Sequence, residues 1–255
     1  MDPRIGIAEF SQLNSPVVLD VRWSLTGPER RGDYLSSHLP GAVFLDLDAD
    51  LCGPVAETGG RHPLPDPERL REVLRGAGIS DDSTVVVYDD DAGMPAARAW
   101  WTLRWAGIAG ATVLEGGFEA WRVAGMPVES GPVTPEPGTA MVRPGSLPTL
   151  SYEDIPAWLE EHELIDVRAP ERYRGENEPI DPVAGHIPGA ANIPVTRTED
   201  IESAEDAAFY CGSGVTASLA AWRQAVAGLP VPPVYVGSWS DWISRGGERA
   251  VGEGK

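Results

Sequence analysis

Residues 207–218 read Ala207-Ala208-Phe209-Tyr210-Cys211-Gly212-Ser213-Gly214-Val215-Thr216-Ala217-Ser218. The first four are a short apolar run suited to a buried strand. Gly212 and Gly214 suit a tight turn, because glycine adopts backbone angles that other residues avoid. From Val215 to Ala227 the pattern is helical, with Gly228 as C-terminal cap. Strand, turn and helix recur along the chain: further apolar runs lie at 17–21, 84–88, 111–114, 164–167 and 233–236, and a second helical stretch at Ala96–Ala106. This alternation predicts an α/β fold, with a central, mostly parallel sheet flanked by helices. Ligands of such sheets gather at the carboxyl ends of the strands, where Cys211 stands.

The pattern is also duplicated. Val17-Val18-Leu19-Asp20-Val21-Arg22 matches Leu164-Ile165-Asp166-Val167-Arg168, and His38-Leu39-Pro40-Gly41-Ala42 matches His186-Ile187-Pro188-Gly189-Ala190. Val85–Asp89 then matches Ala207–Cys211, and Gly116-Gly117-Phe118-Glu119-Ala120-Trp121 matches Gly237-Ser238-Trp239-Ser240-Asp241-Trp242. Two tandem domains are therefore expected at 1–129 and 149–255. The stretch between them, 130–148, has five prolines and three glycines and reads as an extended linker. The copies differ in length: 51 residues separate His38 from Asp89, but 25 separate His186 from Cys211. The second copy is thus shortened before its loop, and lacks a counterpart to much of 46–84, helical-looking Pro67–Gly76 included.

Composition narrows the function classes. Asp and Glu outnumber Lys and Arg 39 to 20, a formal charge of −19. Such a surface repels phosphate backbones and anionic lipid, so no nucleic-acid or membrane partner is expected. No apolar run approaches the ~20 residues of a membrane helix, and Met1-Asp2-Pro3-Arg4-Ile5 lacks a signal layout, so the expected compartment is the cytoplasm. Cys52 and Cys211 are too few for a disulfide scaffold or a structural zinc site, and no metal is expected.

The loop after Tyr210 carries the chemistry. Its glycines let successive N–H groups turn inward as a cradle, and the positive end of the following helix points to the same place. A thiolate at Cys211 would be stabilised there, which makes it a nucleophile inside an anion-binding loop. The bland alternative is a small buried core residue.

With Asp-x-Arg, His-x-Pro-Gly-Ala, Cys-Gly-Ser-Gly-Val-Thr and a terminal Gly-x-x-x-x-Trp, the duplicated unit resembles the tandem rhodanese family of sulfurtransferases over nearly the whole chain. The loop is most similar to that of 3-mercaptopyruvate sulfurtransferases; thiosulfate sulfurtransferases usually carry basic residues at its second and third positions. The resemblance implies two rhodanese-like domains, of which only the second is catalytic, since Asp89 stands at the cysteine position of the first. It implies that Cys211 takes a sulfane sulfur from a small anionic donor, thiosulfate or 3-mercaptopyruvate. The persulfide would rest against the N–H groups of Gly212, Ser213, Gly214, Val215 and Thr216. It would pass to cyanide or a thiol, a thioredoxin-like protein being one candidate acceptor. No cofactor is required.

Further roles follow from the same resemblance. Arg172 is the expected anion-binding arginine of the donor site, while Asp166 and Arg168 read as a supporting ion pair. These enzymes place a second arginine in Glu-Pro-x-Asp; here the position holds Ile180, and Arg174 is a candidate to compensate. The loop serine, Ser213, is expected to join a histidine and an aspartate, for which His62 and Asp48 are the matches. Two rivals stand beside the transferase: a catalytically inactive sensor or scaffold, and a cysteine phosphatase or arsenate reductase. Against the second, phosphatase loops run about seven residues from cysteine to an arginine that clamps phosphate bidentately, whereas here Ala217 holds that place and the next arginine is Arg223.

Overall fold

The computed structural model describes residues 1–90 and 93–254. They form two compact units, Met1–Gly53 with Pro65–Ser146, and Pro54–Leu64 with Leu147–Lys255. In the first unit, β1 (Arg4–Ile5), β2 (Val17–Asp20), β3 (Val43–Phe44), β4 (Val85–Tyr88) and β5 (Ala111–Leu114) form a sheet ordered β1-β5-β4-β2-β3. In the second, β6 (Thr149–Leu150), β7 (Glu163–Asp166), β8 (Ala191–Asn192), β9 (Ala207–Tyr210) and β10 (Val234–Tyr235) are ordered β6-β10-β9-β7-β8. The two orders are the same, and every strand pairing is parallel.

The central strands explain why the sheets are parallel. Every residue of β4 and of β9 is buried, as expected when helices cover both faces. The helices Met94–Trp105 and Val215–Val226 follow these strands. Gly93 (φ +73°) and Gly214 (φ +86°) precede them in the left-handed region that favours glycine. The terminal tryptophans play one part in both units: the Trp121 indole donates to the carbonyl of Pro127, and that of Trp242 to Glu248.

The Asp-x-Arg pairs are also architectural in both. On β2, Asp20 is fully buried, takes Arg22 at 2.7 Å, and accepts the Tyr88 hydroxyl at 2.6 Å. On β7, Asp166 is fully buried and takes Arg168 at 2.5 Å, beside Tyr210 across the strand pairing. Each arginine then donates to a backbone carbonyl, Ser37 or Gly185, at 2.7 Å. Strand ends and loops are tied together by one charged residue in the same way twice.

The length difference between the copies falls in the connection from the third to the fourth strand of each unit. Between β3 and β4 lies the ten-residue helix Pro67–Gly76, capped by Asp66, with Leu70 and Leu74 buried one turn apart. Between β8 and β9 the segment is shortened and not removed: a five-residue helix, Thr198–Glu202, remains there and buries Ile201. Residues 54–64, in the same β3–β4 connection, leave the first unit and pack within the second. Residues 131–146 carry no helix or strand and lie along the first unit, Gly138 donating to the carbonyl of Arg75 and Ala140 to that of Ile79. Among the described residues no helix is long and apolar enough to cross a membrane.

Candidate active site

Cys211 follows the last residue of β9 and is 2% exposed. The Gly214 amide donates to its Sγ at 3.1 Å, so the loop already aims an N–H at the sulfur. The helix's backbone ladder opens with Ser218 donating to the Gly214 carbonyl. The amides of Val215, Thr216 and Ala217 therefore lie in the first turn, where helices offer no intrahelical acceptor. Anion-stabilising amides beside a buried sulfur are what the sequence led us to expect.

The first unit shows what such a loop holds. Asp89, at the matching position, accepts from the Gly93 and Ala96 amides at 3.2 and 3.1 Å. Its carboxylate fills the helix-terminus cradle with a covalently attached anion. In both units the next turn is clamped alike: Phe118 and Trp239 donate to the carbonyls of Asp89 and Cys211.

One residue of this clamp is not legible from motif matching. Ser238, fully buried, has φ +55°, the value of its counterpart Gly117. A side chain in that conformation is strained, and here the hydroxyl has a use: its Oγ accepts the Cys211 amide at 3.1 Å.

Residues 54–64 supply the opposite wall. Gly59 donates to Asp241 at 2.6 Å, and the Arg61 amide to Ser240 at 3.1 Å. Gly60 has φ +80°, and a Cβ there would lie 2.4 Å from the Gly237 carbonyl oxygen, so only glycine fits. Anchored in this way, His62 is 6% exposed and its Nδ1 lies 2.7 Å from Ser213 Oγ. The expected serine–histidine pair is thus formed. Asp48 belongs to the first unit, in the turn Leu47–Asp50, where its Oδ2 accepts from the Trp23 indole at 2.9 Å.

Arg172 comes to the loop, but not alone. It pairs with Glu178 at 2.7 Å and Asp181 at 3.2 Å, both carboxylates being nearly inaccessible. Glu178 also accepts the Ile180 and Asp181 amides and Arg168. Asp181 takes a second guanidinium, that of Arg61. The point where a Cβ on Gly212 would sit lies 3.0 Å from Arg61 Nη2 and 3.4 Å from Arg172 Nη2. Both guanidinium ends therefore stand over the loop. Burial pushes Arg61 below the ordinary arginine value. Arg61, Glu178 and Asp181 were not singled out by sequence reasoning; the one available signal was their adjacency to His62 and to Ile180.

Arg174 lies apart from these groups. Its guanidinium pairs with Glu176 at 2.8 Å and with Glu253 at 3.3 Å, all three side chains being partly or well exposed. Among the described residues its ion pairs are to these two and not to Glu178 or Asp181. The reason is geometric: Arg172 and Arg174 follow one another around the short helix Pro170–Tyr173 and its cap, so they leave it in different directions.

The other cysteine, Cys52, belongs to the first unit and is 3% exposed. Burial pushes its thiol up, with Arg98 opposing, so it is poorly ionised at neutral pH. Among the described residues no cluster of side chains suits a metal ion.

The rhodanese-like domain model matches residues 8–124 and 151–245. A Mycobacterium tuberculosis protein with the provisional designation thiosulfate sulfurtransferase SseB is 40% identical, over 97% of this chain and 95% of its own length. Human 3-mercaptopyruvate sulfurtransferase is 33% identical, over 93% of this chain and 89% of its own. Among solved structures, 3-mercaptopyruvate sulfurtransferase from Leishmania major gives a TM-score of 0.83 at 28% identity, over 96% of this chain and 75% of that one. SseA from Escherichia coli, described as a 3-mercaptopyruvate sulfotransferase with the rhodanese fold, gives 0.80 at 28% identity, over 94% of this chain and 100% of that one. Both matched segments, the repeated sheet order and the Cys211 loop agree: this chain belongs to the rhodanese family and carries its domain twice.

Proposed function

We propose that this protein is a sulfurtransferase in which Cys211 carries the sulfur as a persulfide. The observation that carries the reading is a buried cysteine sulfur receiving the Gly214 amide at the mouth of a helix, beneath two guanidinium groups. In the first half-reaction the Cys211 thiolate attacks the outer sulfur of thiosulfate. The new S–S bond forms as the donor's S–S bond breaks, and sulfite leaves with the electron pair. With 3-mercaptopyruvate the bond that breaks is C–S; the enolate of pyruvate leaves and takes up the proton of the donor thiol. In the second half-reaction cyanide or a thiol attacks the outer sulfur, and the Cys211 thiolate returns as leaving group. The acceptor class includes thioredoxin-like proteins, whose exposed low-pKa thiols are suitable nucleophiles. Because the cycle needs a reduced Cys211, the cytoplasm is the proposed compartment.

The test is intact-mass analysis after incubation with thiosulfate or 3-mercaptopyruvate and removal of excess donor. The expected result is a gain of one sulfur atom, mapped to the peptide of Cys211 and not that of Cys52, and reversed by cyanide. Folded protein with a free Cys211 that gains no sulfur from either donor would sink the reading and leave the scaffold.

The donors separate the role of Ser213 and His62. Sulfite needs no proton to leave, whereas the enolate does, and a serine hydroxyl hydrogen-bonded to histidine can relay one. His62→Asn is expected to slow loading from 3-mercaptopyruvate by roughly 10²- to 10⁴-fold, and from thiosulfate by less than about 10-fold. Asp48→Asn is expected to follow the same split. Equal loss with both donors in single-turnover loading would instead assign His62 to holding Ser213 in place.

A further inference from the structure

We propose that the second unit carries a separate binding site for a small organic cation, at the end of its central strand remote from Cys211. A cavity of about 390 Å³ lies there, beside Ala207, the first residue of β9, and Gln224, in the last turn of the helix Val215–Val226. That volume is within the range of small-molecule sites. The four residues of β9 span about 13 Å, so the cavity and the Cys211 loop lie at opposite ends of the strand.

The fixed polar group of this cavity is Gln224. Its side chain is 3% exposed, and its Nε2 donates to the carbonyls of Ile201 at 3.0 Å and Ala204 at 2.5 Å. Carbonyls only accept, so the orientation of the amide is set and Oε1 is what Gln224 has left to offer the cavity. Among the described residues nothing donates to that oxygen. Held by two bonds of its own, it is a preorganised acceptor for the N–H of a ligand. One wall is aromatic: the Trp158 and His162 rings stack at 4.1 Å, and the indole N–H is spent on the Glu163 carbonyl.

Charge selects the ligand. Glu205 and Asp206 line the cavity, whereas no lysine or arginine does. Arg223, next to Gln224, turns to the Val195 carbonyl instead. Pro230, Pro232 and Pro233, also at the cavity, bring no amide donor. The C-terminal end of the helix adds partial negative charge. Apart from the His162 ring, the polar side chains here are acceptors, two of them charged, beside an aromatic wall. That lining disfavours a carboxylate or phosphate and fits an amidinium, guanidinium or ammonium on a flat apolar body.

Benzamidine, an amidinium on a benzene ring, is the probe. The readout is the Trp158 indole N–H in a proton–nitrogen correlation spectrum, assigned by its loss in Trp158→Phe. A saturable shift is expected, half-complete at about 1 mM as suits so small a ligand, with the Gly214 amide beside Cys211 unmoved. Benzyl alcohol, which keeps the ring and loses the charge, should bind at least about 10-fold more weakly, and benzoate should not bind. Glu205→Gln combined with Asp206→Asn should raise the half-saturating concentration of benzamidine about 3- to 10-fold. Both residues are exposed, and asparagine tolerates the φ of +53° at position 206, so this variant keeps the fold. Gln224→Met, which keeps the length and loses the acceptor, should raise it about 10-fold or more; should Gln224→Met fail to fold, the double variant decides alone. No saturable shift at Trp158 up to about 10 mM benzamidine, or a half-saturation that the double variant leaves unchanged, would overturn the site. A shift at Gly214 in place of Trp158 would put the cation at the sulfur loop and overturn it as well.

Discussion

Cys211→Ser is expected to lower turnover of either donor by at least roughly 10⁴-fold, on the scale seen when an enzyme loses its nucleophile. The reason is chemical and not structural. A serine hydroxyl is un-ionised at neutral pH and forms no stable bond to a sulfane sulfur, so the two-step route closes. The fold should survive, because serine is smaller than cysteine and every contact of residue 211 with the clamp runs through its backbone. Its amide donates to Ser238 Oγ, and its carbonyl accepts from Trp239. Melting temperature should therefore stay near that of wild type while donor turnover in the cyanide assay falls to the uncatalysed rate. Residual turnover within about 10-fold of wild type would mean that another nucleophile does the work. Cys52 would be the next to test, although burial holds its thiol up.

Asp166→Ala is expected to destabilise the second unit by about 3–5 kcal/mol, the range for removing one partner of a buried ion pair. Asp166 accepts from Arg168 through its amide, Nε and Nη2, and nothing else there is placed to take over all three. The arginine would be left 3% exposed, with only Glu178 as a charge partner at 3.2 Å. Burial alone would push Arg168 down; Asp166, with Tyr210 and Glu178, holds it above its ordinary value. The Tyr210 hydroxyl, which accepts the Ile187 amide at 3.2 Å, stands across the strand pairing from Asp166, just before the Cys211 loop. Equilibrium denaturation should show the loss, and Asp20→Ala should give a similar one in the first unit, where Tyr88 and Arg22 converge on Asp20. A loss below about 1 kcal/mol would show that the loop at Gly185 is held by its other contacts.

The fold was legible because it depends on local periodicity and on repetition. Short β-branched runs such as Val85–Tyr88 and glycine-ended helices such as Val215–Val226 announce themselves within a window of a dozen residues. The duplicated Asp-x-Arg and His-x-Pro-Gly segments then doubled each signal. His38 and His186 play one part in both units, each donating from Nδ1 to the carbonyl of a tyrosine, Tyr34 or Tyr173, on which its ring stacks. Segment lengths were less legible. The second copy is shorter before its loop, where a five-residue helix that buries Ile201 stands in the connection that holds the ten-residue helix Pro67–Gly76 in the first.

The candidate site divides along the same line. Cys211, its glycines and the helix behind it are consecutive, so the sequence alone placed the cysteine at the strand end before a helix N-terminus, with Asp89 at the matching position of the first copy. Only the tertiary structure decided which arginines attend that sulfur. Arg174, two residues from Arg172, turns away to Glu176 and Glu253, while Arg61, 150 positions before Cys211 in the chain (211 − 61), comes over the loop. Direction around a short helix separates the first pair. The second is brought together by residues 54–64, which pack with the second unit through Gly59, Gly60 and Arg61. Spacing along the chain carries no record of such contacts, since they arise from burial and hydrogen bonding between segments far apart in sequence.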